Sequence, residues 1–152
     1  MAEHPISRFP VPDIDELPDD IREQVTTVAD KSGFVPNVFM ALAGRPDEYR
    51  AFFAYHDALM DKSDGLSKAE RELIVVATSA ANDCQYCVVA HGAILRIRAK
   101  NPLLADQVAV NHHKADLSDR ERQIVDFALK VALDSGSVTD AEVADMADKG
   151  FT

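Results

Sequence analysis

The sequence predicts an all-α fold, and three observations carry that prediction. No segment of the 152 residues shows sustained period-two alternation bounded by turn signals, the mark of a half-buried strand. From Asp19 onward the pattern is helical, with prolines left only at Pro36, Pro46 and Pro102. Three segments open with one helix-start signature: Ser67-Lys-Ala-Glu70, Ser118-Asp-Arg-Glu121 and Thr139-Asp-Ala-Glu142. Each is a capping box, in which a hydroxyl and a carboxylate reciprocally satisfy the unpaired amides of a first turn.

The elements follow in order. Four of the seven prolines (Pro5, Pro10, Pro12, Pro18) lie in the first eighteen residues. Proline lacks a backbone donor and pushes its predecessor out of the helical region. Residues 1–18 therefore read as an extended arm, with Phe9, Val11 and Ile14 placed to lie along a surface or a neighbouring subunit. Residues 19–152 read as one helical domain, a size that suits a single core. Helices are expected at about 19–31, 36–43, 46–61, 67–81, 84–99, 101–111, 118–134 and 139–149. Gly33, Gly44, Gly65, Gly136 and Gly150 punctuate them at helix ends and loops. Six of the ten aromatic residues fall between Phe34 and Tyr55, which reads most simply as core packing. Tyr55 and His56 are a weaker indication of a pocket lining.

Composition excludes several classes of function. With 47% hydrophobic and 28% charged residues the chain is globular rather than disordered. A net charge of -10 argues against nucleic acid or an anionic membrane surface as partner, since both require a basic footprint. No apolar run approaches the roughly 18–20 residues of a membrane span. The first twenty residues lack the basic region and apolar core of a secretory signal. Two cysteines make no disulfide framework, so a cytoplasmic, soluble protein is expected.

An internal repeat supplies a control. Leu66-Ser-Lys-Ala-Glu-Arg-Glu-Leu-Ile-Val-Val-Ala aligns with Leu117-Ser-Asp-Arg-Glu-Arg-Gln-Ile-Val-Asp-Phe-Ala. Features in both copies (the leucine, the capping box, the arginine, the apolar stripe) read as architecture, and Glu70 is assigned to capping alone. Features in one copy need another reason. Glu72 is matched by Gln123, and the segment Cys84–His91 has no counterpart after the second copy.

That segment carries the chemistry. Asn82 and Asp83 are poor in helix interiors and good at caps, so they mark a tight turn between two helices. The second helix begins at or just before Cys84, with Cys84, Cys87, His91 and Leu95 on one face and Tyr86 elsewhere. A thiol in the first turn meets the positive end of the helix dipole, which favours the thiolate. His91, one turn beyond Cys87, is placed to exchange a proton with it. Folding the helices back antiparallel about residues 82–83 brings Glu72 within roughly one turn of His91, where a carboxylate orients the imidazole. Gly92 would let the two backbones approach. The set reads as Cys87 nucleophile, Cys84 resolving thiol, His91 base and Glu72 orienter.

Other readings use the same residues. The cysteines can be inert small hydrophobes. A zinc site can combine Cys84, Cys87 and His91 with His56, His112 or His113, although no second CxxC or paired-histidine motif supports it. Glu72 can be an ordinary solvated glutamate, and His112 and His113 surface residues. A CxxC in a cytosolic protein normally suggests a thioredoxin-like βαβ unit, and no such pattern exists here. The favoured reading needs no cofactor and no metal.

The pattern E-x11-C-x2-C-x3-H, read as Glu72, Cys84, Cys87 and His91, resembles the AhpD-like alkyl hydroperoxidase branch of the carboxymuconolactone decarboxylase superfamily. Gly33-Phe-Val-Pro-Asn37 and Cys84-Gln-Tyr-Cys87-Val-Val-Ala-His91-Gly92 are similar to its peroxidase-related subgroup, and the resemblance runs from about Phe9 to the end. It implies an all-helical fold with a central antiparallel hairpin carrying CxxC, in homo-oligomers. It also implies reduction of a small hydroperoxide by the cysteine pair, with Cys87 attacking, Cys84 resolving, and Glu72 and His91 relaying protons. Electrons would come from a dithiol reductant, a lipoylated or thioredoxin-like protein. Two departures stand out. Tyr86 replaces an additional histidine of the alkyl hydroperoxidase motif. Relatives also continue past the region of residues 148–152, so the resemblance implies missing C-terminal helices. The cysteine pair argues against lactone decarboxylation, because the decarboxylase branch lacks it. The alternatives are a thiol–disulfide oxidoreductase with a non-peroxide substrate, and a non-catalytic oligomer whose cysteine pair senses redox state.

Overall fold

In the computed structural model, which describes residues 5–62 and 64–151, eight α-helices form and no strand does among the described residues. They are α1 (Asp19–Ser32), α2 (Asn37–Ala43), α3 (Pro46–Met60), α4 (Lys68–Ala81), α5 (Gln85–Ala99), α6 (Leu104–Asn111), α7 (Asp119–Asp134) and α8 (Asp140–Asp148). Short 3-10 turns occupy Ile14–Glu16, His112–Lys114 and Ser135–Ser137. Every helix expected from the sequence is present. The one displaced start is α6, expected at 101. Lys100 is left-handed (φ 53°) and the Asn101 side chain accepts the Leu103 amide at 3.0 Å. That local turn, with Pro102 inside it, competes with the helix. No helix among the described residues is long and apolar enough to cross a membrane.

The chain divides into two compact units, Met1–Leu59 and Met60–Thr152. In the first, Leu17, Ile21 and Val25 recur at four-residue spacing and are buried with Met40, Ala43, Tyr49 and Phe53. Phe39 stacks on Phe53 at 4.5 Å between ring centroids. Phe34, Phe52 and Tyr55 stay exposed, so the aromatic cluster is only partly core. His56 pairs with the neighbouring Asp57 at 2.9 Å. The proline-rich segment is not wholly extended, since Ile14–Glu16 forms a 3-10 turn. Val11 packs on this core and Leu17 is buried in it, whereas Phe9 is 73% exposed. Met1–His4 lie outside the described residues.

The second unit is built around α4, which packs against α5, α6 and α7. Leu73, Val76 and Ala77 of α4 are buried with Leu95, Leu104, Ala105, Val108, Val125 and Leu129. All three capping boxes form, on Ser67, Ser118 and Thr139. The arginine common to both repeat copies has one job in each. Arg71 donates to the carbonyls of Lys62 (2.6 Å) and Asp64 (2.7 Å), and Arg122 donates to that of Ala115 (3.0 Å). Each thereby pins the loop entering its own helix. Glu70 does more than cap. Its Oε2 accepts the Ser67 amide at 2.7 Å, and its Oε1 takes Arg120 Nε of α7 at 2.5 Å. Sequence could not show this second contact, because it spans fifty residues.

Burial alone would raise the Glu70 pKa, but Arg120 and Ser67 outweigh it and hold the carboxyl below its ordinary value. A lowered carboxylate contributes stability above its unfolded value and loses it as pH falls through the folded one. Glu70→Gln should therefore flatten the acid limb of the unfolding free energy measured against pH. Ser67→Ala should cost about 1 kcal/mol in urea denaturation at neutral pH.

Candidate active site

The α4–α5 connection is three residues long, and backbone chemistry dictates its form. Asp83 is left-handed at φ 53°. Its amide reaches the Ala80 carbonyl at 3.2 Å, and the Cys84 amide reaches that of Ser79 at 2.9 Å. These are the two hydrogen bonds of a Schellman motif, with an aspartate where glycine is usual. Asn82 adds its side-chain amide to the Thr78 carbonyl at 2.8 Å. Cys84, the third residue past α4, is at once the N-cap of α5. The expected tight turn is thus present, and it leaves Cys84 no freedom to slide along either helix.

One turn into α5 the two sulfurs meet, with Cys84 Sγ and Cys87 Sγ 2.7 Å apart and both residues half-buried. They divide one proton unequally. The Cys84 thiol is pushed below its ordinary pKa, first by the hydrogen bond from Cys87 and then by the Cys87 backbone amide. The Cys87 thiol is pushed up, first by burial and then by Cys84, while the Ser79 side chain works in the opposite direction. Of the two thiols, Cys84 is therefore the one that gives up its proton first.

Glu72 and His91 form the second contact. Glu72 is 2% exposed, and its Oε2 lies 2.7 Å from His91 Nδ1. A carboxylate can only accept, so Nδ1 carries the proton and Nε2 is left as the basic nitrogen. The other carboxylate oxygen, Oε1, is 3.1 Å from Nη1 of Arg98. That nitrogen is buried and has no hydrogen-bond partner among the described residues, so the interaction is charge attraction without hydrogen-bond alignment.

The four residues singled out from sequence thus gather as two contacting pairs. No hydrogen bond links His91 to either thiol among the described residues, although they share one helix face. Nor do Cys84, Cys87 and His91 assemble as a three-ligand metal set among those residues. Gly92 is buried, but a methyl group there would meet Ala105 of α6 at 3.4 Å rather than α4, so the close approach expected of it concerns a different helix. Tyr86 is 43% exposed. Sequence reasoning missed Arg98 and Ser79. The signal was spacing, for Arg98 lies seven residues past His91 and Ser79 seven past Glu72, two turns along the same faces. A surface cleft of about 440 Å³ is lined by residues of α7 and α8, and none of the four site residues borders it.

The carboxymuconolactone decarboxylase family model matches residues 46–109, a span that holds all four of these residues. A solved structure described as the alkylhydroperoxidase AhpD core, an uncharacterized peroxidase-related protein from Ralstonia eutropha JMP134, is 65% identical. It superposes with a TM-score of 0.93 over 99% of this chain and 79% of that one. This chain belongs to the AhpD-like, peroxidase-related subgroup of the carboxymuconolactone decarboxylase superfamily. An uncharacterized peroxidase-related protein from Silicibacter sp. TM1040 is 35% identical, with a TM-score of 0.87 over 97% of this chain and 76% of that one. No curated protein matches. The AhpD-like fold expected from Glu72, Cys84, Cys87 and His91 is therefore the fold of the chain.

The lowered pKa of Cys84 has a kinetic consequence. Thiolate fraction falls as pH drops through the lowered pKa, so at neutral pH Cys84 should react with iodoacetamide faster than an ordinary cysteine peptide. The difference should close at alkaline pH. Cys87→Ala removes the donor and should move the midpoint of the rate–pH profile upward.

Proposed function

We propose that this protein is a thiol-dependent hydroperoxide reductase acting on small alkyl hydroperoxides through Cys84 and Cys87. The observation that supports this best is the direct contact of the two sulfurs at the start of α5, one turn from a histidine whose tautomer is set by a buried carboxylate. The two relatives, both described as peroxidase-related, point the same way.

Transfer of the Cys87 proton to Cys84 across their contact places the thiolate on Cys87, beside Ser79 and nearest to His91. That sulfur attacks the hydroxyl-bearing peroxide oxygen, the O–O bond breaks, and the leaving alkoxide takes up a proton that solvent delivers by way of His91 Nε2. Cys87 becomes a sulfenic acid. Cys84 then attacks the oxidised sulfur, an S–S bond forms and water departs. Two electrons and two protons from an external dithiol restore the thiols. Glu72 holds the imidazole so that Nε2 faces the reacting atoms, and Arg98 keeps a positive charge against that carboxylate. The lowered pKa of Cys84 favours a second reading, in which the first cysteine opens thiol–disulfide exchange with a non-peroxide substrate.

Peptide mass spectrometry after one equivalent of an organic hydroperoxide separates the two. A Cys84–Cys87 disulfide should form rapidly, should be absent in Cys87→Ser, and should be replaced in Cys84→Ser by a sulfenic acid on Cys87 trapped by dimedone. Sulfenic acid on Cys84 in the Cys87→Ser variant reverses the roles, and free thiols throughout with rapid reduction of a disulfide substrate favour the exchange reading.

A double-mutant cycle separates chemistry from structure. Glu72→Gln should slow peroxide consumption roughly 10²-fold, the scale of a lost proton-transfer assistant. It should also destabilise the fold by about 1–3 kcal/mol, because Arg98 loses its buried counter-charge. Adding Arg98→Met should recover much of the stability and none of the rate.

A further inference from the structure

Two consecutive histidines end the α6 segment, and the structure places them against a carboxylate of α7. One ligand atom from each of His112, His113 and Asp126 lies within 4.8 Å of the other two, the one such gathering of three among the described residues. The rings of His112 and His113 are 3.9 Å apart between centroids. Arg122, one turn before Asp126, sends its guanidinium to the backbone instead, donating to the Ala115 carbonyl at 3.0 Å and approaching those of His112 and His113 at 3.5 Å. The 3-10 turn that presents both imidazoles is thereby fastened to the helix that presents the carboxylate. Asp126 makes no ion pair with a lysine or arginine among the described residues, so its charge is not already spent.

We propose that His112, His113 and Asp126 form a binding site for a borderline divalent cation, with Zn2+ as the representative ion. Two imidazole nitrogens and one carboxylate oxygen are the donor set that zinc, nickel and copper prefer over magnesium or calcium. Donors around tetrahedral zinc stand roughly 3.3 Å apart at ordinary bond lengths. His113 and Asp126 are exposed and His112 half-buried, so the two outer side chains close the remaining distance by rotamer adjustment while the inner one stays in place. Solvent completes the shell. The neighbouring Lys114 and Arg122 limit affinity and make the site one of moderate strength. The site is separate from the cysteine pair and does not depend on the proposed peroxidase reaction.

The test is calorimetric titration of Zn2+ into the full chain after carbamidomethylation of Cys84 and Cys87, which removes the thiols as competing ligands. One equivalent should bind, and His113→Ala and Asp126→Asn should each weaken it roughly tenfold or more. Both positions are exposed, so folding is preserved, and circular dichroism checks it. Histidine side-chain NMR gives a second readout, with Zn2+ shifting the His112 and His113 imidazole signals and leaving that of His56 in place. Equal affinity in the parent and both variants would overturn the proposal, as would the absence of saturable binding to the parent.

Discussion

A carboxylate buried in a helical core is costly unless it is paired, and Glu72 sets the terms for everything around it. Removing a carboxylate from water without compensation costs on the order of several kcal/mol. Glu72 meets that cost with His91 on one oxygen and Arg98 on the other, both on α5 and two turns apart. The pair of contacts ties α5 to α4 in one register. A shift of a single residue would turn both partners away and strand the charge. The same register sets how His91 is presented, so the electrostatic requirement of the core and the geometry of the site are one constraint.

The internal repeat shows how little sequence separates scaffold from chemistry. α4 and α7 begin with the same capping box, bury one matching apolar residue (Leu73 in α4, Ile124 in α7), and carry an arginine at the same position. Arg71 and Arg122 each fasten the loop before their helix. At the next position the copies diverge. Gln123 sits at the surface and donates to Asp145 at 3.1 Å, whereas Glu72 is enclosed by α5. A neutral amide suffices beside Asp145, whereas the carboxylate of Glu72 has a histidine on one oxygen and an arginine on the other.

Much of this was legible in the sequence because the signals were local. Prolines, glycines and three capping boxes bounded the helices to within a few residues, and the α6 start was missed only because Asn101 captures the Leu103 amide. Glu72 and His91 were legible as partners from hairpin geometry, since counting residues outward from the turn at 82–83 is arithmetic. Arg98 was not. An arginine in the last turn of a helix reads as an ordinary complement to the dipole, and only the packed structure shows its buried nitrogen facing a carboxylate. Ser79 was hidden in the same way, as a helix-interior hydroxyl without local signature. The long-range contact Glu70–Arg120 and the approach of Asp126 to His112 and His113 leave no mark in a single sequence.

Cys84 occupies a position that serves two helices, and this bears on how a cysteine pair here can cycle. As the third residue past α4 it closes a Schellman motif with its amide, and as the N-cap of α5 it offers its sulfur to the first turn. Both backbone tasks are done by atoms that oxidation does not touch. Cys87 lies inside the first turn, already in contact. A bond between the sulfurs would close a ring with two residues between the cysteines, so it would remove little chain entropy from the unfolded state and contribute correspondingly little to stability. Bonds that a fold does not need for stability can be made and broken without unfolding it. A thiol whose pKa is lowered, as that of Cys84 is, also shifts the balance of such an exchange toward the reduced pair.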